Sequence, residues 1–221
     1  MAITLTKGQR IDLKKQDGAK LTNFCVGVNW GAIVTKGGFL RASKTTNVDL
    51  DLSCIVIDDQ NNMCDFLYSP LYQTAWLAQR GLRPGKLKTE DNALQHSGDD
   101  LQGDKGGDDG LDNEIITVDL SKISSKATQI FFFLNNVNKE DFSQIPYAKI
   151  RMYDGTPKLV KEVVASYNVA AEPQYSGKRA MIMGKLYKRD GTWKFNAIGE
   201  PTNDDNFTET IKRILTSYVR G

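Results

Sequence analysis

The chain has 221 residues, 29 of them basic and 27 acidic, for a formal charge of +2. Its length suits one large domain, and no apolar run approaches the roughly 20 residues of a membrane-spanning helix. Cys25, Cys54 and Cys64 form no CxxC pair and there is a single histidine, which argues against a zinc site and for reduced thiols in the cytoplasm.

The apolar period is mostly two. The opening "ITLTKGQRIDLKK" alternates Ile3 and Leu5, then Ile11 and Leu13. "NFCVGVNW" sets Phe24, Val26, Val28 and Trp30 on one face, and "NVDLDLSCIVID" sends Val48, Leu50 and Leu52 inward with Asp49 and Asp51 outward. Such alternation marks half-buried strands. "CDFLY" is a further short strand. Residues 69 to 95 lack alternation and read as a long excursion with a short helix around Leu71–Ala78.

More strand candidates follow: "EIITVDL", "QIFFFLNNV", "YAKIRMYD", "KLVKEVVASYNV", "RAMIMGKLYKRD" and "TWKFNAIG". Asp190-Gly191 is a two-residue hairpin signal between the last two. In "NFTETIKRILTSYV" the residues Phe207, Ile211, Ile214, Leu215 and Tyr218 share one helical face, and Asn206 with Glu209 suits a capping box. The expected fold is all-β: a two-sheet β-sandwich forming a single domain over residues 1–221, with the C-terminal helix closing one end.

The densest charge lies in residues 96–114, "HSGDDLQGDKGGDDGLDNE". Seven acids there face only Lys105, a net of −6, so the rest of the chain carries +8 to reach +2 overall. Two unit charges about 4 Å apart repel by ~1 kcal/mol in water and by more at a protein surface. Three readings fit: a solvated disordered loop, a calcium site, or a catalytic carboxylate cluster. The strand that begins at once after the acids opposes disorder. Catalysis lacks a nucleophile or an oxyanion hole nearby, and the lone His96 reads as a structural hydrogen-bonder. Calcium takes about 6–8 oxygens from carboxylates, carbonyls and water, and glycines at 98, 103, 106, 107 and 110 let the backbone turn carbonyls inward. The spacing does not match an EF-hand, and a single copy of "GGDDGLDNE" does not make a calcium-binding β-helix repeat. Asp49 and Asp51, two apart on one strand face, are either a solvent-facing polar pair or further ligands if the loop folds over them.

Four blocks in order, "ITLTKGQRIDLKK" with "CVGVNW", "VDLDLSCIVID", "HSGDDLQGDKGGDDGLDNEIITVDLSKI" and "GKLYKRDGTWKFNAIGE", resemble the TerD family of tellurium-resistance and stress-response proteins. The resemblance covers roughly residues 1 to 200. It implies a two-sheet β-sandwich whose long acidic loops bind one or two Ca²⁺ ions. By position, Asp49 and Asp51 match the family's strand acids, Asp99, Asp100 and Asp104 its first acidic segment, and Asp108, Asp109 and Glu114 its second. Two departures stand out. Asp100 replaces the usual asparagine, and "GLDN" lengthens the loop and adds Asp112. The excursion at 69–95 is also longer than in short relatives and reads as a separate surface feature. The candidate metal set is Asp49, Asp51, Asp99, Asp100, Leu101, Asp104, Gly106, Asp108, Asp109, Asp112 and Glu114.

The expected function is a non-enzymatic, calcium-binding stress-response module acting as a scaffold or signalling component, with other stress-response proteins or a membrane-associated complex as partners. The alternatives are calcium-dependent membrane docking through Leu101 and Leu111, and a metal or redox enzyme using the three cysteines, which read as buried strand residues. "KLYKRDGTWKF" interleaves basic and aromatic residues, but its alternation groups Trp193, Phe195 and Ala197 as a core face, so no nucleic-acid partner is expected.

Overall fold

In a computed structural model, residues 3–219 are described apart from 5, 36, 38–41, 139 and 169–172. Leu5, part of the first expected strand, lies outside these residues. The strands run β1 (Ile3–Thr4), β2 (Arg10–Asp12), β3 (Asn23–Trp30), β4 (Ile33–Thr35), β5 (Lys44–Thr46), β6 (Leu50–Asp58), β7 (Met63–Leu67), β8 (Leu94–His96), β9 (Glu114–Asp119), β10 (Ala127–Asn136), β11 (Ala148–Thr156), β12 (Leu159–Asn168), β13 (Ala180–Arg189) and β14 (Thr192–Thr202). The helices are α1 (Thr74–Ala78) and α2 (Phe207–Ser217).

Two six-stranded sheets form the β-sandwich, in the orders β1-β12-β11-β3-β9-β8 and β2-β14-β13-β10-β6-β7, with β4 and β5 as a separate hairpin. The main core lies between them. It joins Phe24, Val26, Val28 and Trp30 of β3 to Leu52, Cys54 and Val56 of β6 and to Ile130, Phe132 and Leu134 of β10. These are the inward sets that alternation selects. The β13–β14 turn has Asp190 and Gly191 both at positive φ, 51° and 72°, the requirement of a type I′ hairpin.

The second sheet departs from simple alternation. Its outer face carries Ile55, Ile57, Phe131, Phe133 and Ile182, so β6 and β10 are apolar on both sides. An apolar outer face needs a cover, and α2 supplies it with Phe207, Ile211 and Ile214. Each such side chain contributes about 1.5–3 kcal/mol when fully buried. The C-terminal helix therefore lies on a sheet face and does not close an end of the sandwich. Its cap also differs from the expected box: the Asn206 side chain accepts from Thr208 N–H, while Glu209 accepts from the Asp205 N–H.

Segment 69–95 helps to cover the same face. Tyr72, Trp76, Leu77 and Leu82 join the α2 cluster, and α1 is shorter than the expected helix. The segment is thus packed against the sandwich, which corrects the reading of a separate surface feature. Its last residues form β8, pairing with β9.

Candidate metal centre

The acidic loop is fastened to the end of β3. Asp104 N–H donates to the Trp30 carbonyl, Ala32 N–H donates to the Asp104 carbonyl, and Val48 N–H donates to the Gln102 carbonyl. Gly103 sits at φ +66°, and a Cβ there would come 2.5 Å from the Trp30 ring, so glycine lets the loop lie flat on the tryptophan. The loop is tied to the sandwich at both ends, at Gln102 and Asp104 and again where Asn113 N–H donates to the Val28 carbonyl.

Strand ends bring the first group of acids together. β7 pairs with β6 only from Cys54 onward, which leaves the start of β6 uncovered by a strand. Glu114, the first residue of β9, fills that gap, accepting from Leu52 N–H at 2.7 Å and from Asp100 N–H at 3.1 Å. Its side chain is fully buried. Among the described residues, Asp51, Asp99 and Glu114 each place a carboxylate oxygen within 4.8 Å of the others. Asp51 is also buried, so it is not a solvent-facing acid of an exposed strand face. Asp49 lies close enough to Glu114, Asp99 and Asp100 to feel their charge, and its Oδ1 is buried without a hydrogen-bond partner.

Hydroxyls from segment 69–72 complete this group. Ser69 donates to Asp99 Oδ2 at 2.6 Å, and the Tyr72 hydroxyl donates to Asp51. His96 is buried behind Glu114. Its Nδ1 accepts from Gly98 N–H at 3.0 Å, so the proton sits on Nε2, 3.0 Å from the Leu52 carbonyl and 3.3 Å from Glu114 Oε2. The histidine is thus a structural hydrogen-bonder that orients the glutamate.

Electrostatics single out the same residues. Burial, then repulsion from Glu114 and Asp99, raises the Asp49 carboxyl to about 6. Burial followed by Glu114 raises Asp51 well above the usual range, and burial raises Glu114 despite its three donors. Each group resists ionisation because it has left water beside like charge. No Lys or Arg stands among the ion-pair partners of Asp49, Asp51, Asp99 or Glu114 among the described residues.

A second group is built differently. Asp104, Asp108 and Asp109 also come within 4.8 Å of one another, but Asp108 and Asp109 are exposed. Tyr147 donates to Asp104 Oδ2 at 2.8 Å, Asn29 to Asp108 Oδ1 at 3.2 Å, and Lys149 pairs with Asp108. The Lys149 hydrogen bond holds the Asp108 carboxyl below its ordinary range. Asn113 bridges the two halves, donating to Asp100 Oδ2 at 3.0 Å and Asp104 Oδ1 at 3.1 Å.

The remaining candidates lie around these two groups. Asp100 Oδ1 is taken by the N–H groups of Gln102 and Gly103 in its own turn. Asp112 lies against Gly27 and pairs with Arg151 at 2.8 Å, near enough to Asp108 to feel its charge. Leu101 is 49% exposed and Gly106 is exposed on the loop surface. Sequence reasoning missed Ser69, Tyr72, Asn113, Asn29 and Tyr147, since polar residues spread over the chain carry no local pattern.

The donors of the first group are all oxygens, which suits a hard dication such as Ca²⁺ and not a soft one. The orphaned, buried Asp49 oxygen beside that group also fits an added cation. A family model for the TerD domain matches residues 1–214. The chain belongs to the TerD family. Among TerD relatives, the stress response protein SCP2 of Bacillus subtilis strain 168 is 33% identical, with the alignment covering 97% of this chain and all of SCP2. The tellurium resistance protein TerZ of Serratia marcescens is 26% identical over 99% of this chain and all of TerZ. The crystal structure of a TerD homologue from Streptomyces coelicolor A3(2) superposes with a TM-score of 0.59 at 11% identity, covering 90% of this chain and 97% of that one, a likeness of fold. This TerD chain is accordingly of the tellurium-resistance and stress-response type. Among its described residues, no helix is long and apolar enough to cross a membrane.

No cysteine belongs to either acidic group among the described residues. Cys25 and Cys54 are buried and burial raises both, but Cys64 is exposed, which corrects the reading of three buried cysteines. In the β13–β14 hairpin, Phe195 and Ala197 enter the core, Trp193 packs on it and Lys185 is buried.

Proposed function

We propose that the protein is a non-enzymatic, cytoplasmic calcium-binding stress-response module, in which Ca²⁺ is held by Asp51, Asp99 and Glu114 with Asp49 beside them. One observation carries the reading: three carboxylates, two of them buried, converge with no Lys or Arg paired to them among the described residues. A dication at that point offsets the repulsion that raises Asp49, Asp51 and Glu114. The group joins β6 of one sheet to β9 of the other, so ion binding is coupled to the fit between the sheets. That coupling suits a scaffold or signalling component that docks other stress-response proteins when its loop is ordered. The second group, Asp104, Asp108 and Asp109, is the place for a second, weaker ion, since Lys149 already compensates Asp108.

Isothermal calorimetry and thermal denaturation in Ca²⁺ and in chelator test the proposal. Binding by calorimetry and a higher melting temperature in Ca²⁺ are expected. No heat, and a melting temperature indifferent to both, would sink it. Calcium-dependent docking on anionic membrane is a second reading, supported by the exposure of Leu101 and Leu111 on the same loop, 49% and 57%. Co-sedimentation with phosphatidylserine vesicles that requires Ca²⁺ and is lost in Leu101→Ser/Leu111→Ser would favour it over the scaffold.

A further inference from the structure

Segment 69–82 meets the first acidic group at two points and the C-terminal helix at a third. At the first point, the Ser69 hydroxyl accepts from Leu71 N–H at 3.1 Å and donates to Asp99 Oδ2 at 2.6 Å. At the second, the Tyr72 hydroxyl donates to Asp51 Oδ2. Both protons point at the acids, because a carboxylate only accepts. At the third, the Tyr72 ring lies 4.4 Å from that of Phe207 on α2, and it stacks on Trp76 of α1 at 6.1 Å, centroid to centroid. One side chain thus has its polar tip on the candidate metal centre and its ring in the apolar cover of the second sheet.

The segment is stapled to itself around that side chain. The Tyr68 hydroxyl donates to the Arg83 carbonyl at 2.6 Å, Tyr68 bridges to Lys86, and Leu82 N–H donates to the carbonyl of the buried Leu77 at 3.0 Å. By contrast, α1 has little order of its own. It has five residues, no side-chain cap at Gln73 and no basic residue in its last turn, and most of it is exposed. A helix so short depends on its neighbours to stay formed.

We propose that segment 69–82 is the ion-responsive element of this chain: through Ser69 and Tyr72, occupation of the Asp51–Asp99–Glu114 centre orders α1 against α2. The inference rests on the calcium reading above and names its regulation. Ser69 and Tyr72 act as positioning residues, each through the carboxylate it holds. A carboxylate that binds a metal keeps lone pairs for a hydroxyl donor, and such outer hydrogen bonds keep ligands in place. Without an ion, like charges at this junction repel and work against both hydroxyl contacts. An ion offsets that repulsion, so the acids stay where the hydroxyls meet them. Linkage makes the effect mutual: an ion that orders the segment is itself held more tightly by it.

Hydrogen exchange read by mass spectrometry on the full chain, in Ca²⁺ and in chelator, measures the order, and calorimetry measures the ion. Ca²⁺ should slow exchange at residues 73–82 about tenfold more than at residues 185–189, which lie at the opposite end of β13 from Asp51. Tyr72→Phe keeps the ring and removes only the hydroxyl. It should bind Ca²⁺ about tenfold more weakly and lose the ion-dependent slowing. Ser69→Ala should act in the same direction. If a variant does not fold, the wild-type exchange decides: Ca²⁺ bound with residues 73–82 unchanged, or faster, overturns the inference and leaves the calcium reading standing. A Tyr72→Phe variant whose segment exchanges faster by the same factor with and without Ca²⁺ also overturns it, since that marks a purely structural hydroxyl. No heat of Ca²⁺ binding in the wild type ends the calcium reading and this inference with it.

Discussion

The two acidic groups carry similar charge but handle it by opposite means. Asp104, Asp108 and Asp112 are met by protein donors: Tyr147, Lys149 and Arg151, all on or just before β11. Asp51, Asp99 and Glu114 are met by hydroxyls, backbone N–H groups and a histidine, but among the described residues by no Lys or Arg. A basic strand beneath a loop can neutralise it without any ion. At the buried junction between the two sheets no Lys or Arg is paired with the acids among the described residues, and there the proposed Ca²⁺ would offset their charge.

The largest expected effect tests the self-compensated half. Arg151→Met should leave Asp112, whose side chain is 1% exposed, buried without its partner. A loss of about 3 kcal/mol in urea unfolding is expected, with or without Ca²⁺. A loss that calcium restores would break the comparison, because it would make this half ion-dependent too.

The next effect concerns the other half. At free Ca²⁺ 100 times the dissociation constant, one site adds about 2.7 kcal/mol, or roughly 5–10 °C in melting temperature for a chain of this size. Glu114→Gln and Asp51→Asn should each remove most of that gain. Without calcium, Asp51→Asn should be no less stable, since it relieves repulsion and keeps an acceptor for Tyr72, whereas Glu114→Gln turns an amide NH₂ toward the Leu52, Asp100 or His96 donors and should be less stable. Asp109→Asn should keep most of the gain. The opposite ranking, read by thermal denaturation, would transfer the main site to the exposed group.

A smaller effect follows from pH. Between the ordinary carboxyl value of 3.8 and about 6, folded Asp49 holds a proton that the unfolded chain has released. The metal-free protein should therefore lose stability as pH rises through that window. Asp51 and Glu114, also raised, act in the same direction. Saturating Ca²⁺ favours the ionised forms and should flatten or reverse the slope. Chemical denaturation of metal-stripped protein at about pH 4 and about pH 7 measures it, and a rise with pH would contradict the account. Smallest of all, Lys149→Met breaks an exposed pair and should change stability by less than about 1 kcal/mol.

Much of this fold is legible in the sequence. Alternation in "NFCVGVNW" and "NVDLDLSCIVID" located β3 and β6, Asp190-Gly191 located a hairpin, and the spacing of Phe207, Ile211 and Ile214 located α2. These features depend on residues a few positions apart, so the local chain determines them. The density of acids in 96–114 is likewise a property of the sequence alone. Which acids meet is not. Asp51 and Glu114 are 63 positions apart and come together because β7 stops short of the start of β6. Tyr72, Ser69 and Asn113 joined the site only through packing, and α2 went to a sheet face because both faces of β6 and β10 are apolar. Short-range periodicity sets the elements, while the pairing of distant strand ends decides where charge is stranded and where it is neutralised.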